Sequence, residues 1–151
     1  MELARPARHE DHPACRRLLG DLLAGASTLR GGPTLVGEAN PESLLARWTA
    51  PGAQLLVGEF DGVVVGVLGV TVSAPSAHAD RRGVVEGCYV ERDARGVGVG
   101  SSLLSAAIAW CKAEGCREVD ALALPGDRAT KQRLEAEGFT ARLLTLSRRL
   151  D

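Results

Sequence analysis

Residues 84–102 read VVEGCYVERDARGVGVGSS, and this stretch decides how the chain folds. It joins an apolar, β-branched run to a glycine-rich turn, and an apolar stripe of helical spacing follows over residues 103–111. The first turn of a helix carries unpaired N–H groups and the positive end of the helix dipole. Glycine lets a ligand approach the backbone because no Cβ intervenes. The pattern therefore predicts a phosphate-binding turn formed by Arg95, Gly96, Val97, Gly98, Val99, Gly100 and Ser101.

Two nucleotide-binding motifs can be compared with this turn. A P-loop needs a lysine and then serine or threonine after its last glycine, whereas Ser101 and Ser102 follow Gly100. The dinucleotide fingerprint needs a glycine at its sixth position, which is Ser101 when counted from Gly96. Asp120 does lie near the end of the next predicted strand, where that fingerprint places a ribose-binding acid. However, the fingerprint follows the first strand of a βαβ series, and a different arrangement precedes this turn.

Three apolar runs come before the turn with no helix between them. They cover residues 55–60, 63–72 and 84–90, and Asp61-Gly62 separates the first two. An Asp-Gly pair between apolar runs is a strong β-hairpin signal, and consecutive strands without crossover helices pair antiparallel. The runs therefore predict an antiparallel meander, with turn-rich residues 73–83 linking its last two strands.

Helices and further strands surround the meander. Apolar spacing and capping residues predict a short strand at 3–4, helices at 11–25, 41–48, 98–114 and 127–137, a strand at 118–124 and one continuous last strand at 139–150. The stretch between the first two helices, residues 26–40, is glycine-rich and is the loosest part of the chain. This order predicts an α/β fold with a central mixed, mostly antiparallel sheet flanked by helices.

Length and composition limit the classes of function. The chain has 151 residues, the size of one domain, with 45% hydrophobic and 25% charged residues, which is the balance of a globular protein. A formal net charge of −1 predicts no nucleic-acid partner, and no apolar run is long enough for a membrane span. The N-terminus lacks the apolar segment of a secretory signal. Four irregularly spaced cysteines predict reduced thiols in the cytoplasm and no metal site.

The chain resembles the GNAT superfamily of N-acetyltransferases, which use acetyl-CoA. The family signature is Arg or Gln, two residues, Gly, one residue, and Gly or Ala, between a strand and a helix; Arg95, Gly98 and Gly100 match it. Residues 127–139, a helix followed by Gly-Phe, resemble the second family motif. The resemblance implies one acetyltransferase domain over residues 1–151. It also implies acetyl-CoA as cosubstrate, no metal, and an amine of a small molecule or peptide as acceptor.

The resemblance further implies where the cosubstrate lies. In the family, the strand before the turn bulges and splays from the next strand, and pantetheine adds there like an extra strand. Gly87 is the candidate bulge residue. The backbone groups of Cys88, Tyr89 and Val90 would face the pantetheine. The basic side chains of the following helix would flank the far side of the cosubstrate or form a solvated face; they are Arg128, Lys131 and Arg133. Of these three, we assign Lys131 to the cosubstrate site.

Glu86 is the candidate catalytic residue. An amine is mostly protonated at neutral pH, so attack on a thioester requires a proton acceptor, and Glu86 is the only acid in the run at 84–90. It acts as a base directly or through water, binds the substrate ammonium only, or has a structural role. Strict alternation places it on the face of Cys88 and Val90, opposite Tyr89. Cys88 is either a nucleophile or a small core residue, and direct transfer in the family favours the second.

Two departures from the family pattern bear on activity and assembly. Leu134 stands where many members place a tyrosine that protonates the leaving thiolate. Residues 139–151 are too few for the hairpin that usually ends the fold, so a single last strand leaves an open edge for pairing in a homodimer. We expect direct acetyl transfer to a primary amine, with residues 26–40 shaping the acceptor pocket. The alternative is a catalytically weak or inactive CoA-binding module of the same fold.

Overall fold

The computed structural model describes residues 2–74, 76–77 and 80–151. Their helices and strands, in chain order, are β1 Glu2–Pro6, α1 His12–Ser27, α2 Gly32–Val36, α3 Pro41–Trp48, β2 Ala53–Phe60, β3 Val63–Val72, β4 Arg82–Val90, α4 Val99–Ala113, β5 Glu118–Ala121 and α5 Arg128–Ala136. Single turns of 3-10 helix at His9–Asp11 and Arg92–Ala94 precede α1 and follow β4. The predicted link at 73–83 includes Pro75, His78 and Ala79, which lie outside the described residues.

The strands form one sheet in the order β1-β2-β3-β4-β5. Neighbouring strands are antiparallel, except that β4 and β5 are parallel. The β2–β3 hairpin turns at Asp61 and Gly62, whose φ angles of 49° and 81° are the positive values that a type I′ turn requires. The predicted meander and the mixed, mostly antiparallel sheet are confirmed.

Helices cover both faces of the sheet, and each face has its own apolar core. On one face α4 packs against β2, β3 and β4; the buried members of this α4-side core include Leu56, Leu68, Val70, Val85, Leu103, Leu104 and Ala107. On the other face α1 and α3 pack against β2 and β3; the α3-side core includes Leu18, Leu19, Leu45, Trp48, Leu55, Val57 and Val67. Leucine and valine make up most of both cores, as the shortage of aromatic residues requires.

The indole of Trp48 determines how closely α3 approaches the sheet. Trp48 is 2% exposed and lies directly over Gly69 of β3. A Cβ added at Gly69 would come within 1.9 Å of the indole Cδ2, and one at Gly87 of β4 would come within 2.9 Å of Cη2. Both glycines are therefore required by packing, and they bring the end of α3 onto the middle of β4.

The predicted strand at 139–150 is wrong, because residues 139–151 form neither helix nor strand. A strand needs a neighbour that pairs with its N–H and C=O groups. The nearest candidate, β5, ends at Ala121 and is only four residues long, shorter than the 118–124 predicted. Arg142 donates to Asp120 of β5 at 2.9 Å. Beyond that contact the leucines of the tail are exposed; they are Leu143, Leu144, Leu146 and Leu150.

Candidate active site

The glycine-rich turn connects β4 to α4 through two left-handed residues. Gly96 has a φ of 85° and Gly98 a φ of 94°, which side chains rarely adopt. Gly98 is the N-cap of α4, and because glycine has no side chain, no side-chain hydrogen bond caps this end of the helix. The first N–H groups of α4 therefore point out of the helix end with the positive end of its dipole. This is the geometry of an anion-binding turn.

Arg95 is held at the front of the turn by two contacts. Its Nε donates to the carbonyl of Val90 at 2.9 Å. Its guanidinium also lies over the ring of Tyr89, 5.5 Å from the ring centroid. The two contacts hold the guanidinium of Arg95, an exposed residue, near the first turn of α4.

A cavity of about 250 Å³ opens at the turn. Lys131 of α5, which the resemblance places on the far side of the cosubstrate, does not line this cavity; it is 68% exposed and pairs with Glu135 at 3.7 Å. The cavity is lined by Val90, Ala94, Arg95, Gly96, Gly98, Val99, Gly100, Ser101 and, from α5, Arg133. The lining thus includes six of the seven residues that the sequence assigned to the turn, all but Val97, and it adds Arg133.

Strands β4 and β5 separate where the family resemblance implies that they should. Their parallel pairing begins at Arg82 with Glu118 and ends at Val85 with Ala121. In the described part of the chain, β4 has no pairing partner on that side after Val85. The edge of β4 that includes Cys88, Tyr89 and Val90 is therefore open toward the gap between the strands. The predicted splay is present in the structure.

Glu86 occupies a β-bulge, and this changes the face to which it belongs. Gly69 pairs with Gly87 and Val70 pairs with Val85, so Glu86 is the extra residue of β4. The predicted bulge is present, but Glu86 and not Gly87 is the inserted residue. An inserted residue reverses the alternation of side chains that follow it.

The predicted grouping of Glu86 with Cys88 and Val90 is therefore wrong. Glu86 faces α3, to which it is hydrogen-bonded. Tyr89 packs against the α3-side core as well, whereas Cys88 packs against the α4-side core. The only tyrosine of the chain thus lies on the same face as the candidate catalytic carboxylate.

Two neighbouring residues of α3 hold the carboxylate of Glu86. Arg47 donates from Nε to Oε1 and from Nη2 to Oε2, each at 2.7 Å. Trp48 Nε1 donates to Oε1 at 2.9 Å. Partial burial raises the pKa of Glu86, but the hydrogen bonds from Arg47 and Trp48 and the charge of Arg47 outweigh it, so the pKa lies below its ordinary 4.5. Glu86 is an anion at neutral pH.

An open groove of about 690 Å³ runs past Arg47. It lies between the end of α3, the start of β2 and the end of β3. Its lining residues are Ser43, Ala46, Arg47, Ala50, Pro51, Gly52, Ala53, Thr71, Val72, Ser73 and Val84. The predicted acceptor loop, residues 26–40, includes α2 and approaches the segment after β5: a Cβ added at Gly31 would lie 3.8 Å from Leu124 Cδ2.

Cys88 has the properties of a core thiol. Burial raises its pKa to about 11, although the nearby Arg133 acts in the opposite direction. A neutral thiol is a weak nucleophile, because the thiolate is the reactive form. All four cysteines are free thiols. The structure therefore favours the role of a small core residue for Cys88 over that of a nucleophile.

Three residues of the site could not be assigned to it from the sequence. Arg47 and Trp48 contact Glu86 from 39 and 38 residues away, and no local motif marks such a pair. Arg133 carried only a weak signal, as one of three basic residues on the helix after the turn.

Two further observations concern the described residues as a group. None of their helices is long and apolar enough to cross a membrane. Within residues 2–74, 76–77 and 80–151, no three His, Cys, Asp or Glu side chains are grouped so as to hold a metal ion.

Comparison with known proteins adds a family and a set of similar structures. A model of the acetyltransferase (GNAT) family matches residues 27–139. No protein with a curated description matches the chain in sequence.

The similar solved structures agree in fold. A transcriptional regulator from Bacillus halodurans C-125 is 24% identical, with a TM-score of 0.76 over 99% of this chain and 100% of that one. An aminoglycoside N-acetyltransferase in complex with CoA is 21% identical, with a TM-score of 0.73 over 99% and 96%. A ribosomal-protein-alanine N-acetyltransferase from Brucella melitensis biovar Abortus 2308 is 17% identical, with a TM-score of 0.71 over 97% and 99%. At these identities the similarity establishes the fold.

Proposed function

The chain belongs to the acetyltransferase (GNAT) family, and from this premise we propose that it transfers an acetyl group from acetyl-CoA to a primary amine by direct attack. One observation carries the proposal: the pairing of β4 with β5 stops at Val85, and the open edge of β4 leads directly to the glycine-rich turn. A strand edge followed by an anion-binding helix end suits a ligand with an amide-containing arm and a diphosphate.

The residues at the turn fit such a ligand. Gly98 adopts a φ of 94°, which turns the chain into α4, and the absence of a Cβ at Gly100 lets the Arg133 guanidinium lie directly against the first turn of that helix. Arg95 would neutralise part of the diphosphate charge. The N–H and C=O groups of Cys88, Tyr89 and Val90 would pair with the amides of the pantetheine arm. Bound acetyl-CoA would supply an activated thioester whose carbonyl carbon accepts the amine nitrogen.

Glu86 would help the incoming ammonium group to lose its proton. The ammonium group of an alkyl amine has a pKa near 10.4, about six units above that of a carboxylate, so complete transfer of its proton to Glu86 is unfavourable. We therefore propose that Glu86 orients the ammonium and passes its proton on through water. Arg47 and Trp48 position the carboxylate for this role.

The acceptor would reach Glu86 from the side of α3. Arg47 contacts Glu86 and also lines the open groove. An amine that reaches Glu86 through this groove would therefore lie near Arg47. Residues 26–40 would close this pocket from the other side. The acceptor class is a small-molecule or peptide primary amine. A CoA-binding module without transferase activity is the alternative, and the absence of a hydroxyl at Leu134 is the observation that favours it.

We also propose that the chain forms a homodimer through its tail. Leu144, Leu146 and Leu150 are 79%, 91% and 88% exposed, and in an extended segment these even-numbered positions would share one face. β5 is the last strand of the sheet, and Arg142 already brings the tail to it. A second copy that pairs with the tail would cover these leucines.

We propose a cytoplasmic location, because the four free thiols are typical of a protein in a reducing compartment.

The test of the proposed function measures binding and turnover together. CoA affinity is determined by calorimetry, and thiol release from acetyl-CoA is followed over a panel of primary amines. Amine-dependent thiol release above the rate in buffer is the expected result. CoA binding with no release for any amine would establish the binding module, and the absence of CoA binding would overturn both.

A further inference from the structure

We propose that Arg133 is a second cation for the CoA diphosphate, acting with Arg95, and that it makes the site select CoA over pantetheine lacking phosphate. The inference rests on the proposed function, because it concerns the same cosubstrate. It names a residue and a selectivity that the fold alone does not provide.

Arg133 lies at the glycine-rich turn. Its guanidinium lies against the first turn of α4: a Cβ added at Gly100 would be 2.6 Å from Cζ, 2.7 Å from Nε and 2.9 Å from Nη1. It lines the same cavity as Arg95 and the glycine-rich turn. The adjacent Leu134 is buried in the α4-side core, so α5 is anchored and Arg133 is held at the cavity. Asp127 caps that helix through the N–H of Thr130.

The surroundings of Arg133 do not neutralise its charge. A cation beside the first turn of a helix faces the positive end of the dipole, which is unfavourable. Among the described residues no carboxylate forms an ion pair with Arg133, in contrast to Lys131, which pairs with Glu135. Cys88, close by, does not compensate, because its thiol has a pKa of about 11 and is neutral. The site therefore gathers two arginines and a helix N-terminus, and no carboxylate among the described residues pairs with either arginine.

A diphosphate would satisfy all three groups. Phosphate oxygens accept from backbone N–H groups at a helix N-terminus, and the planar guanidinium matches phosphate in a two-point contact. Arginine is better suited than lysine to this geometry. A ligand without the diphosphate would leave the arginines uncompensated, and the selectivity follows from that difference.

The experiment is a calorimetric comparison of two ligands on three proteins. CoA and pantetheine are titrated into the parent, Arg133→Gln and Arg8→Gln. Arg8 is an exposed arginine far from the turn in sequence, so Arg8→Gln is the control for the loss of one positive charge. We expect Arg133→Gln to weaken CoA binding at least tenfold and to leave pantetheine binding within twofold. Arg8→Gln should change CoA binding by less than threefold. The salt dependence of CoA binding should also become less steep in Arg133→Gln.

The outcomes separate this inference from the proposed function. If the parent binds CoA and Arg133→Gln binds it equally well, the inference is overturned while the proposed function stands. Equal losses for CoA and pantetheine would also overturn it, because Arg133 would then act on the fold of β4. If the parent binds no CoA, the proposed function itself fails. Gly100→Ala is the second variant: alanine suits a helix, displaces the guanidinium, and should reproduce the selective loss.

Discussion

Arg47 and Glu86 form a two-point ion pair that ties α3 to the bulge of β4, with both N–O distances at 2.7 Å. Arg47 is 58% exposed and Glu86 is 21% exposed. Exposed pairs of this kind contribute little to the free energy of unfolding, typically about 0–1 kcal/mol. The pair matters more for the charge of Glu86, which it keeps anionic, and for the direction in which the carboxylate points.

Glu86→Gln tests the catalytic role of the carboxylate. Glutamine keeps the shape and can still accept from Trp48, but it cannot take part in removing a proton from the amine. We expect turnover to fall by roughly 10²–10⁴ at neutral pH with CoA affinity unchanged. The loss should shrink at high pH, where the amine is deprotonated by solvent. A higher KM for the amine at unchanged turnover would instead assign Glu86 to binding alone.

Arg47→Gln tests the electrostatic role of Arg47. Arg47 lowers the pKa of Glu86, so its removal should raise that pKa and shift the acid limb of the pH–rate profile to higher pH. The stabilisation from a lowered pKa is present above about pH 4.5 and is lost as the pH falls through the folded-state pKa. The difference in melting temperature between parent and variant should therefore be small at pH 7 and smaller still at pH 3. An acid limb that stays in place would contradict this role.

Tyr89→Phe tests whether catalysis needs a side-chain acid. The phenol lies on the face of Glu86, but its ring is occupied in supporting Arg95. A simple thiol has a pKa near 8.5, so its thiolate can depart before protonation. We expect Tyr89→Phe to turn over within a few-fold of the parent. Tyr89→Ala should weaken CoA binding by about two- to fivefold through the lost cation–π contact.

A collapse of turnover in Tyr89→Phe, with CoA affinity intact, would make Tyr89 the acid. Leu134→Tyr restores the hydroxyl that other family members carry. It should leave turnover within a few-fold or raise it, and it should lower the melting temperature because Leu134 is buried. Transfer by Leu134→Tyr but not by the parent would support the binding-module alternative.

Gly69→Ala tests the packing that brings α3 to Glu86. The added Cβ would lie 1.9–2.2 Å from three atoms of the Trp48 indole, so the ring and its bond to Glu86 must shift. Overpacking of this kind costs about 1–3 kcal/mol in the free energy of unfolding. Gly25→Ala in α1 has open space around it and serves as the control. Chemical denaturation of both variants measures the difference, and equal stability of Gly69→Ala and the parent would show that α3 adapts without cost.

Local signals explain which parts of the fold could be predicted from sequence. The Asp61-Gly62 hairpin and the turn ending at Gly98 depend on residues adjacent in the chain, and both are confirmed. The sequence could not predict that Glu86 is the inserted residue, because a bulge depends on how two strands pair. The same holds for Arg47, which contacts Glu86 only after α3 has packed on the sheet. A last strand was predicted at 139–150, but a strand forms only beside a partner that pairs with its N–H and C=O groups.

Calorimetric titration of CoA into Gly100→Val is the most direct test of the claim that the turn at residues 95–101 holds CoA. Gly25→Val, the same substitution at an exposed helical glycine with open space, is the matched control. We predict that Gly100→Val binds CoA at least tenfold more weakly than the parent, about 1.4 kcal/mol, and that Gly25→Val binds it as the parent does. Circular dichroism should show both variants folded. Parent-like CoA affinity in a folded Gly100→Val would contradict the claim and place the cosubstrate elsewhere.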